Sequence, residues 1–128
     1  MDVNTLSAHP LVLIVDDEPL LRLMNADMLT DAGFDVIEAS NADEALALLD
    51  QNRDVRVVFT DVDMPGQIDG FALADRIGRA YPMIGVVVTS GRRLPSPSFN
   101  AAAQQFVPKP YSLDHVVRLI DTFVERQR

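Results

Sequence analysis

Two adjacent acids, Asp16 and Asp17, follow the short apolar run Leu11-Val12-Leu13-Ile14-Val15. A third acid, Asp61, ends a second run from Val55 to Thr60. Ser90 closes a third run, Ile84 to Thr89, and Lys109 comes just after a fourth, Phe106-Val107. If these runs lie side by side, the three carboxylates meet, and two unit charges ~4 Å apart repel by about 4 kcal/mol at an effective dielectric of ~20. Such a cluster must hold a cation or take up protons. Its donors are all oxygen, with no Cys in the chain and no His nearby, so the expected ion is Mg²⁺, with Mn²⁺ or Ca²⁺ as substitutes. A lone ammonium and a hydroxyl opposite that ion suit a phosphoryl group, whose oxygens they would neutralise and hydrogen-bond. Asp61 can then act as the nucleophile and become an acyl phosphate.

Composition narrows the field around this cluster. The 128 residues carry 19 acidic and 11 basic side chains, a formal charge of −8, and are 48% hydrophobic, enough for one core in one domain. Nucleic acid is disfavoured as a direct partner, because phosphate backbones call for an excess of Lys and Arg. The absence of Cys excludes a disulfide scaffold, a thiolate metal site and a cysteine nucleophile. Lys109 is the only lysine and sits in Val-Pro-Lys-Pro, which excludes a Walker A loop, and no Gly-x-Gly is present for a dinucleotide fingerprint. No apolar run approaches the roughly 20 residues of a membrane span. Residues 1–9 lack the basic and apolar stretches of a signal peptide and are expected to form a flexible tail ahead of one domain over 10–128, in the cytoplasm.

The elements that must position the cluster alternate. Leu11–Val15 reads as a strand buried on both faces. A helix is expected from Pro19 to Ala32, with Leu20, Leu21, Met24, Met28 and Leu29 on one stripe and Gly33 as its stop. Phe34–Ala39 is a second strand, and Asn41 with Glu44 forms a capping box before a helix with Leu46, Leu48 and Leu49. Val55–Thr60 is the third strand, followed by a helix that starts at Asp69 or Gly70 and ends at Tyr81-Pro82. After the fourth strand, Ile84–Thr89, residues 92–100 carry Pro95 and Pro97 and read as a loop, with a short turn over Ala101–Gln104. Phe106-Val107 is the fifth strand, and Ser112 opens a last helix with Leu113, Val116, Val117, Ile120, Phe123 and Val124 on one stripe. The alternation predicts an α/β fold with a parallel sheet covered on both faces, and a cleft at the carboxyl ends of the strands. Asp16, Asp17, Asp61, Ser90 and Lys109 all fall there.

These residues resemble the receiver domain of two-component response regulators over about Pro10 to Phe123. The resemblance is carried by Ile14-Val15-Asp16-Asp17-Glu18-Pro19, Thr60-Asp61-Val62-Asp63-Met64-Pro65-Gly66, Asp69-Gly70, Ser90-Gly91 and Phe106-Val107-Pro108-Lys109-Pro110. It implies a flavodoxin-like (βα)5 doubly wound sheet, five parallel strands in order 2-1-3-4-5. It implies that Asp61 accepts a phosphoryl group from a sensor histidine kinase or a histidine phosphotransfer protein, and that the domain signals by altered contacts with a further protein. The metal ligands would be Asp17 directly, Asp16 mainly through water, Asp61, and the backbone carbonyl of Asp63. Ser90 would be the hydroxyl that turns to the phosphoryl group and Phe106 the aromatic whose rotamer reports on it. Lys109 would hold a phosphoryl oxygen, with the Lys109-Pro110 bond cis. Asp63 and Arg92, each two residues past a site residue, occupy positions that tune dephosphorylation in similar domains; Arg92 and Arg93 read either as solvated loop charges or, for Arg92, as the partner of Asp63 in a pair across the mouth of the site. The domain would be a phospho-acceptor with slow autodephosphorylation rather than an enzyme.

Several points stay open or depart from that pattern. Thr89 competes with Ser90 for the hydroxyl role, but Ser90 precedes Gly91 and its neighbour should point the other way. Phe106 also fits a plain core residue, and Asp63 a turn residue whose side chain faces solvent. His9 and His115 read as bystanders. The prolines after the fourth strand predict a short or irregular fourth helix, and Ala102-Ala103-Gln104-Gln105 stands where similar domains have Gly-Ala. One additional residue, Gln67 or Ile68, separates Pro65-Gly66 from Asp69-Gly70. Two other readings remain: a pseudo-receiver that binds without phosphorylation, and a haloacid-dehalogenase-like phosphatase suggested by Asp61-Val62-Asp63. The second conflicts with the early position of Asp16-Asp17.

Overall fold

In the computed structural model the described residues are 9–95, 99 and 103–128. Five strands, β1 (Leu11–Val15), β2 (Asp35–Ala39), β3 (Val55–Asp61), β4 (Gly85–Ser90) and β5 (Gln104–Pro108), form one sheet in the order β2-β1-β3-β4-β5. Every neighbouring pair is parallel. Among the described residues the helices are α1 (Pro19–Asp31), α2 (Ala42–Gln51), α3 (Gly70–Ala80) and α4 (Leu113–Arg126). From β1 the chain steps to one side to form β2, then returns to form β3 on the other side. The order therefore reverses between β1 and β3, and the ends of those strands open into the crevice that such sheets use for ligands.

The central strands are mostly apolar because both faces are covered, with polar residues gathered toward their ends. Leu13, Val15, Val58, Val62, Val86 and Val88 pack toward α2 and α3, with Ala45, Leu49, Leu73 and Ile77. Val12, Ile14, Val57, Phe59, Val87 and Val107 pack toward α1 and α4, with Leu29, Val116, Ile120 and Phe123. Burying each such Val, Leu, Ile or Phe contributes about 1.5–3 kcal/mol relative to exposure. Strand pleating decides direction at the strand ends as well: Ser90 follows Val86 and Val88, whereas Thr89 follows Val87 to the opposite face.

Helix starts follow the expected chemistry. The Asn41 side chain accepts from the Glu44 amide at 2.8 Å, while the Glu44 carboxylate accepts from the Ser40 amide at 2.7 Å, one residue earlier than a standard capping box. Asp69 caps α3 by accepting from the Ala72 amide. Ser112 holds the N-cap position of α4 without a side-chain cap bond. Gly33, at φ 103°, turns the chain out of α1 as only glycine does without strain.

Three expectations are corrected. The buried face of α1 is Asn25, Ala26 and Leu29, whereas Leu20, Met24 and Met28 are exposed, as is Leu23. The helix is rotated because Arg22 anchors it: Nη1 donates to the Asp16 carbonyl at 2.6 Å and Nε to Glu38 at 3.1 Å. The small Ala26 then lies against the sheet. Second, Gln104 belongs to β5 rather than to a turn. Its side chain is buried, and Nε2 donates to the Ala74 carbonyl at 2.7 Å, a tertiary bond that local propensity does not encode. Third, α1 and β2 meet one residue away from the expected boundaries, at Asp31 and Asp35. No helix is present among the described residues between β4 and β5. Most of the expected irregular fourth helix and Ala101–Ala102 lie outside the described residues, as do residues 1–8 of the expected tail.

Candidate functional site at the strand ends

β1 delivers Asp16 and Asp17, and β3 delivers Asp61, to one point. One carboxylate oxygen from each lies within 4.8 Å of the other two. Asp16 and Asp61 are buried and Asp17 is half-buried. The local folding that sets them is hydrogen-bonded: the Asp16 amide donates to the Ala39 carbonyl at 3.1 Å, and the Val62 amide to the Thr89 carbonyl at 2.9 Å. Asp16 Oδ1 accepts from the Glu18 amide at 2.9 Å, which shapes the turn into α1. Gly70 lies so close behind Asp61 that a Cβ on it would sit 2.7 Å from Val62 Cα.

Lys109 reaches the cluster from the end of β5. Its own amide donates to the Ser90 carbonyl at 3.0 Å, and the Lys109-Pro110 bond is cis, as expected. Its Nζ stands 3.3 Å from Asp61 Oδ1. That is an ion-pair distance, but the two are not aligned for a hydrogen bond, and the buried Oδ1 has no hydrogen-bond partner. Burial pushes the Asp16 carboxyl above the usual carboxylate range, and the nearby Asp61 and Asp17 charges push the same way. The Glu18 amide and Lys109 oppose that shift. An acid held up by burial and like charges, beside a buried oxygen lacking a donor, is what a hard cation would relieve. The all-oxygen donor set fits such an ion.

Ser90 is at the site but turned from Asp61. Its hydroxyl donates to Asp63 Oδ2 at 3.2 Å and accepts from the Arg92 and Arg93 amides at 3.2 and 3.0 Å. The Asp63 side chain is thus engaged rather than simply solvated. The pair across the mouth forms one residue later than the Arg92 reading placed it: Arg93 Nε lies 3.4 Å from Asp63 Oδ1. The side chain that reaches back is decided by the chain direction after Gly91, which spacing alone does not reveal. Phe106 is half-buried and stacks on Phe71, centroids 6.0 Å apart.

Sequence reasoning missed a second layer. Asn25 Nδ2 donates to Tyr111 Oη at 3.3 Å, joining α1 to the segment after Lys109. Tyr111 meets Phe59 edge-on at 5.7 Å, and burial raises its hydroxyl's pKa. With Asp16, Asp61 and Thr89 these residues line a small cavity of about 10 Å³ beneath the acids. Thr89 Oγ1 is buried there without a hydrogen-bond partner. Asn25 on an otherwise apolar helix face was the available signal. His9 lies 3.7 Å from Asp35 and His115 is exposed on α4, both away from the acids.

Known proteins resemble this chain in sequence and fold. Residues 12–121 match the family model described as the response regulator receiver domain. The nitrogen assimilation regulatory protein NtrX of Azorhizobium caulinodans is 33% identical over 121 residues, covering 91% of this chain and 26% of its own length. The sensor histidine kinase RcsC of Escherichia coli is 31% identical over 121 residues, covering 92% of this chain and 12% of its own. The chain thus spans about a quarter or less of the curated relatives it matches. Among solved structures, the receiver domain of NtrX from Brucella abortus superposes with a TM-score of 0.75 at 32% identity, covering 89% of this chain and 98% of that one. The response regulator TrrA of Thermotoga maritima, solved in complex with Mg²⁺ and BeF, gives 0.79 at 25% identity, covering 88% of this chain and 97% of that one. Five parallel strands in this order, with acids at the ends of β1 and β3 and a lysine at the end of β5, together with these matches, establish that the chain belongs to the response regulator receiver domain family.

Proposed function

We propose that Asp61 is the phospho-acceptor of a two-component pathway. The observation that carries this reading is Lys109 Nζ, 3.3 Å from Asp61 Oδ1, beside the carboxylates of Asp16 and Asp17. In the transfer, an Asp61 oxygen bonds to phosphorus as the phosphorus–nitrogen bond of a phosphohistidine breaks, and the imidazole leaves with the bond's electron pair. Lys109 offsets the charge on a phosphoryl oxygen, and the Ser90 hydroxyl donates to another once it is free. Asp16, Asp17, Asp61 and the Asp63 carbonyl hold Mg²⁺, for which Mn²⁺ or Ca²⁺ substitutes; the ion supplies neutralising charge to the phosphoryl oxygens. Phe106 acts as the aromatic switch, and Asp63 and Arg92 as tuning positions. The protein is a phospho-acceptor that loses its phosphate slowly, not a turnover enzyme.

The donor is a sensor histidine kinase or a histidine phosphotransfer protein in the cytoplasm. A groove of about 590 Å³ beside Lys109, lined by Leu21, Asn25, Met28, Pro110, Tyr111 and Leu113, supports docking of such a protein next to the acceptor. Exposed Leu20 and Met24 extend the apolar surface along α1. No described helix is long and apolar enough to cross a membrane.

Acetyl phosphate with Mg²⁺ should add one phosphate to the intact mass, in a form cleaved by neutral hydroxylamine as acyl phosphates are. Asp61→Asn should remove that gain. A wild-type protein that gains no mass would instead be a binding module that works without phosphorylation.

A further inference from the structure

Ser90 is engaged from three directions: by Asp63 Oδ2, which accepts its proton at 3.2 Å, and by the amides of Arg92 and Arg93. Asp63 is itself held by Arg93, whose Nε lies 3.4 Å from Oδ1. The same guanidinium reaches Asp69 Oδ2 through Nη2 at 3.0 Å, and Asp69 caps α3. Its carbon stands 5.9 Å from the centre of the Phe71 ring, and that ring stacks on Phe106. One arginine thus joins the segment after β3, the start of α3, the segment after β4 and the aromatic of β5.

A hydroxyl has one proton to donate. While Ser90 gives it to Asp63, an oxygen of a group on Asp61 cannot receive it. We propose that Arg93 and Asp63 form a latch that withholds the Ser90 hydroxyl from the phosphoryl position until the pair opens. The inference rests on Asp61 being the acceptor. Both partners are near half exposed, 46% for Arg93 and 41% for Asp63, so the pair is weak enough for a phosphoryl group to compete with it. A ligand that needs the open arrangement binds with an affinity reduced by the fraction of molecules that are open. Arg93 is on this view a positioning residue acting through Asp63 and Ser90, and this indirect effect opposes the direct attraction of its charge for the anion.

The sign of one substitution separates this from simple electrostatics. Removing a cation near an anion site weakens anion binding, whereas opening the latch strengthens it. Beryllofluoride with Mg²⁺ is titrated against the wild type, Arg93→Ala, Arg93→Lys, Ser90→Ala, the Ser90→Ala/Arg93→Ala double variant and Asp61→Asn. The Arg93 amide in a ¹H–¹⁵N spectrum reports on release of Ser90. Arg93→Ala should bind about two- to tenfold more tightly, the range expected when one weak polar contact is lost. Arg93→Lys, with a single head that cannot serve both Asp63 and Asp69, should fall between. In the Ser90→Ala background the gain should vanish. Unchanged or weaker binding by Arg93→Ala, or a gain that persists without Ser90, overturns the latch. Binding by the wild type no better than by Asp61→Asn would instead remove the functional reading beneath it.

Discussion

Lys109 Nζ lies 3.3 Å from Asp61 Oδ1, a buried oxygen with no hydrogen-bond donor. The lysine therefore offsets the acids in the resting protein and, on the proposed reading, lies within reach of a phosphoryl oxygen on Asp61. Lys109→Ala should lower the stability of the metal-free protein at pH 7 by about 1 kcal/mol, because the acids lose a cation at the rim of the site. It should also slow acyl-phosphate formation from acetyl phosphate by about tenfold or more. Thermal melts in chelator and intact-mass time courses measure the two effects separately. An unchanged phosphorylation rate would reduce Lys109 to a structural countercharge.

Asp16 predicts an inverted response to pH. Its folded pKa is raised above 3.8 by burial first and by Asp61 and Asp17 after it. The folded state therefore keeps this proton to higher pH than the unfolded chain does. In the window between 3.8 and the raised value the unfolded state binds fewer protons, so this group's contribution to stability grows as pH falls. Asp16→Asn should accordingly melt above the wild type at pH 7 in chelator, and the gap should close on acidification. Millimolar Mg²⁺ should reverse the order, since only the wild type keeps the full ligand set. A gap that ignores pH would place the repulsion elsewhere.

Asn25 and Tyr111 should behave as a pair. Tyr111→Phe leaves the buried Asn25 amide without its partner at 3.3 Å and should cost about 1–3 kcal/mol in urea unfolding. Replacing both groups, as Asn25→Leu with Tyr111→Phe, removes the unpaired polar atom and should recover most of that loss. Penalties that simply add would show that the two are not coupled.

Gly70 tests how the backbone holds Asp61. A Cβ there would lie 2.7 Å from Val62 Cα and 2.8 Å from the Asp61 carbonyl carbon, and backbone atoms cannot swing aside. Gly70→Ala should destabilise the protein by about 1–3 kcal/mol. Displacing Asp61 should also shrink the rise in melting temperature produced by Mg²⁺. An unaltered Mg²⁺ response would mean that α3 shifts and the acid does not.

Much of this is legible in the sequence. Val12 to Val15 and Val57 to Phe59 announce strands buried on both faces, because only such strands are apolar at every position. Asp16, Asp17 and Asp61 announce a site, because acids directly after such strands fall at one end of a parallel sheet. The apolar residues of α1 misled, since Leu20, Met24 and Met28 have the right period for a buried face yet are exposed. Period identifies a helix, but which stripe turns inward depended on Arg22 binding the Asp16 carbonyl. Gln104 was likewise invisible as a strand residue, because its partner is the Ala74 carbonyl, thirty positions away.

The sequence by itself determined the alternation of strand and helix, the acids at two strand ends, and the single lysine that could face them. Those properties are local: periodicity, capping and the residue type at the end of a run. Only the tertiary structure decided that Arg93 rather than Arg92 meets Asp63, that the Ser90 hydroxyl is turned toward Asp63, and that Asn25 reaches Tyr111. Each of these depends on where one segment lies against another, and distances between segments remote in sequence are set by packing of the whole sheet and its helices, not by any spacing along the chain.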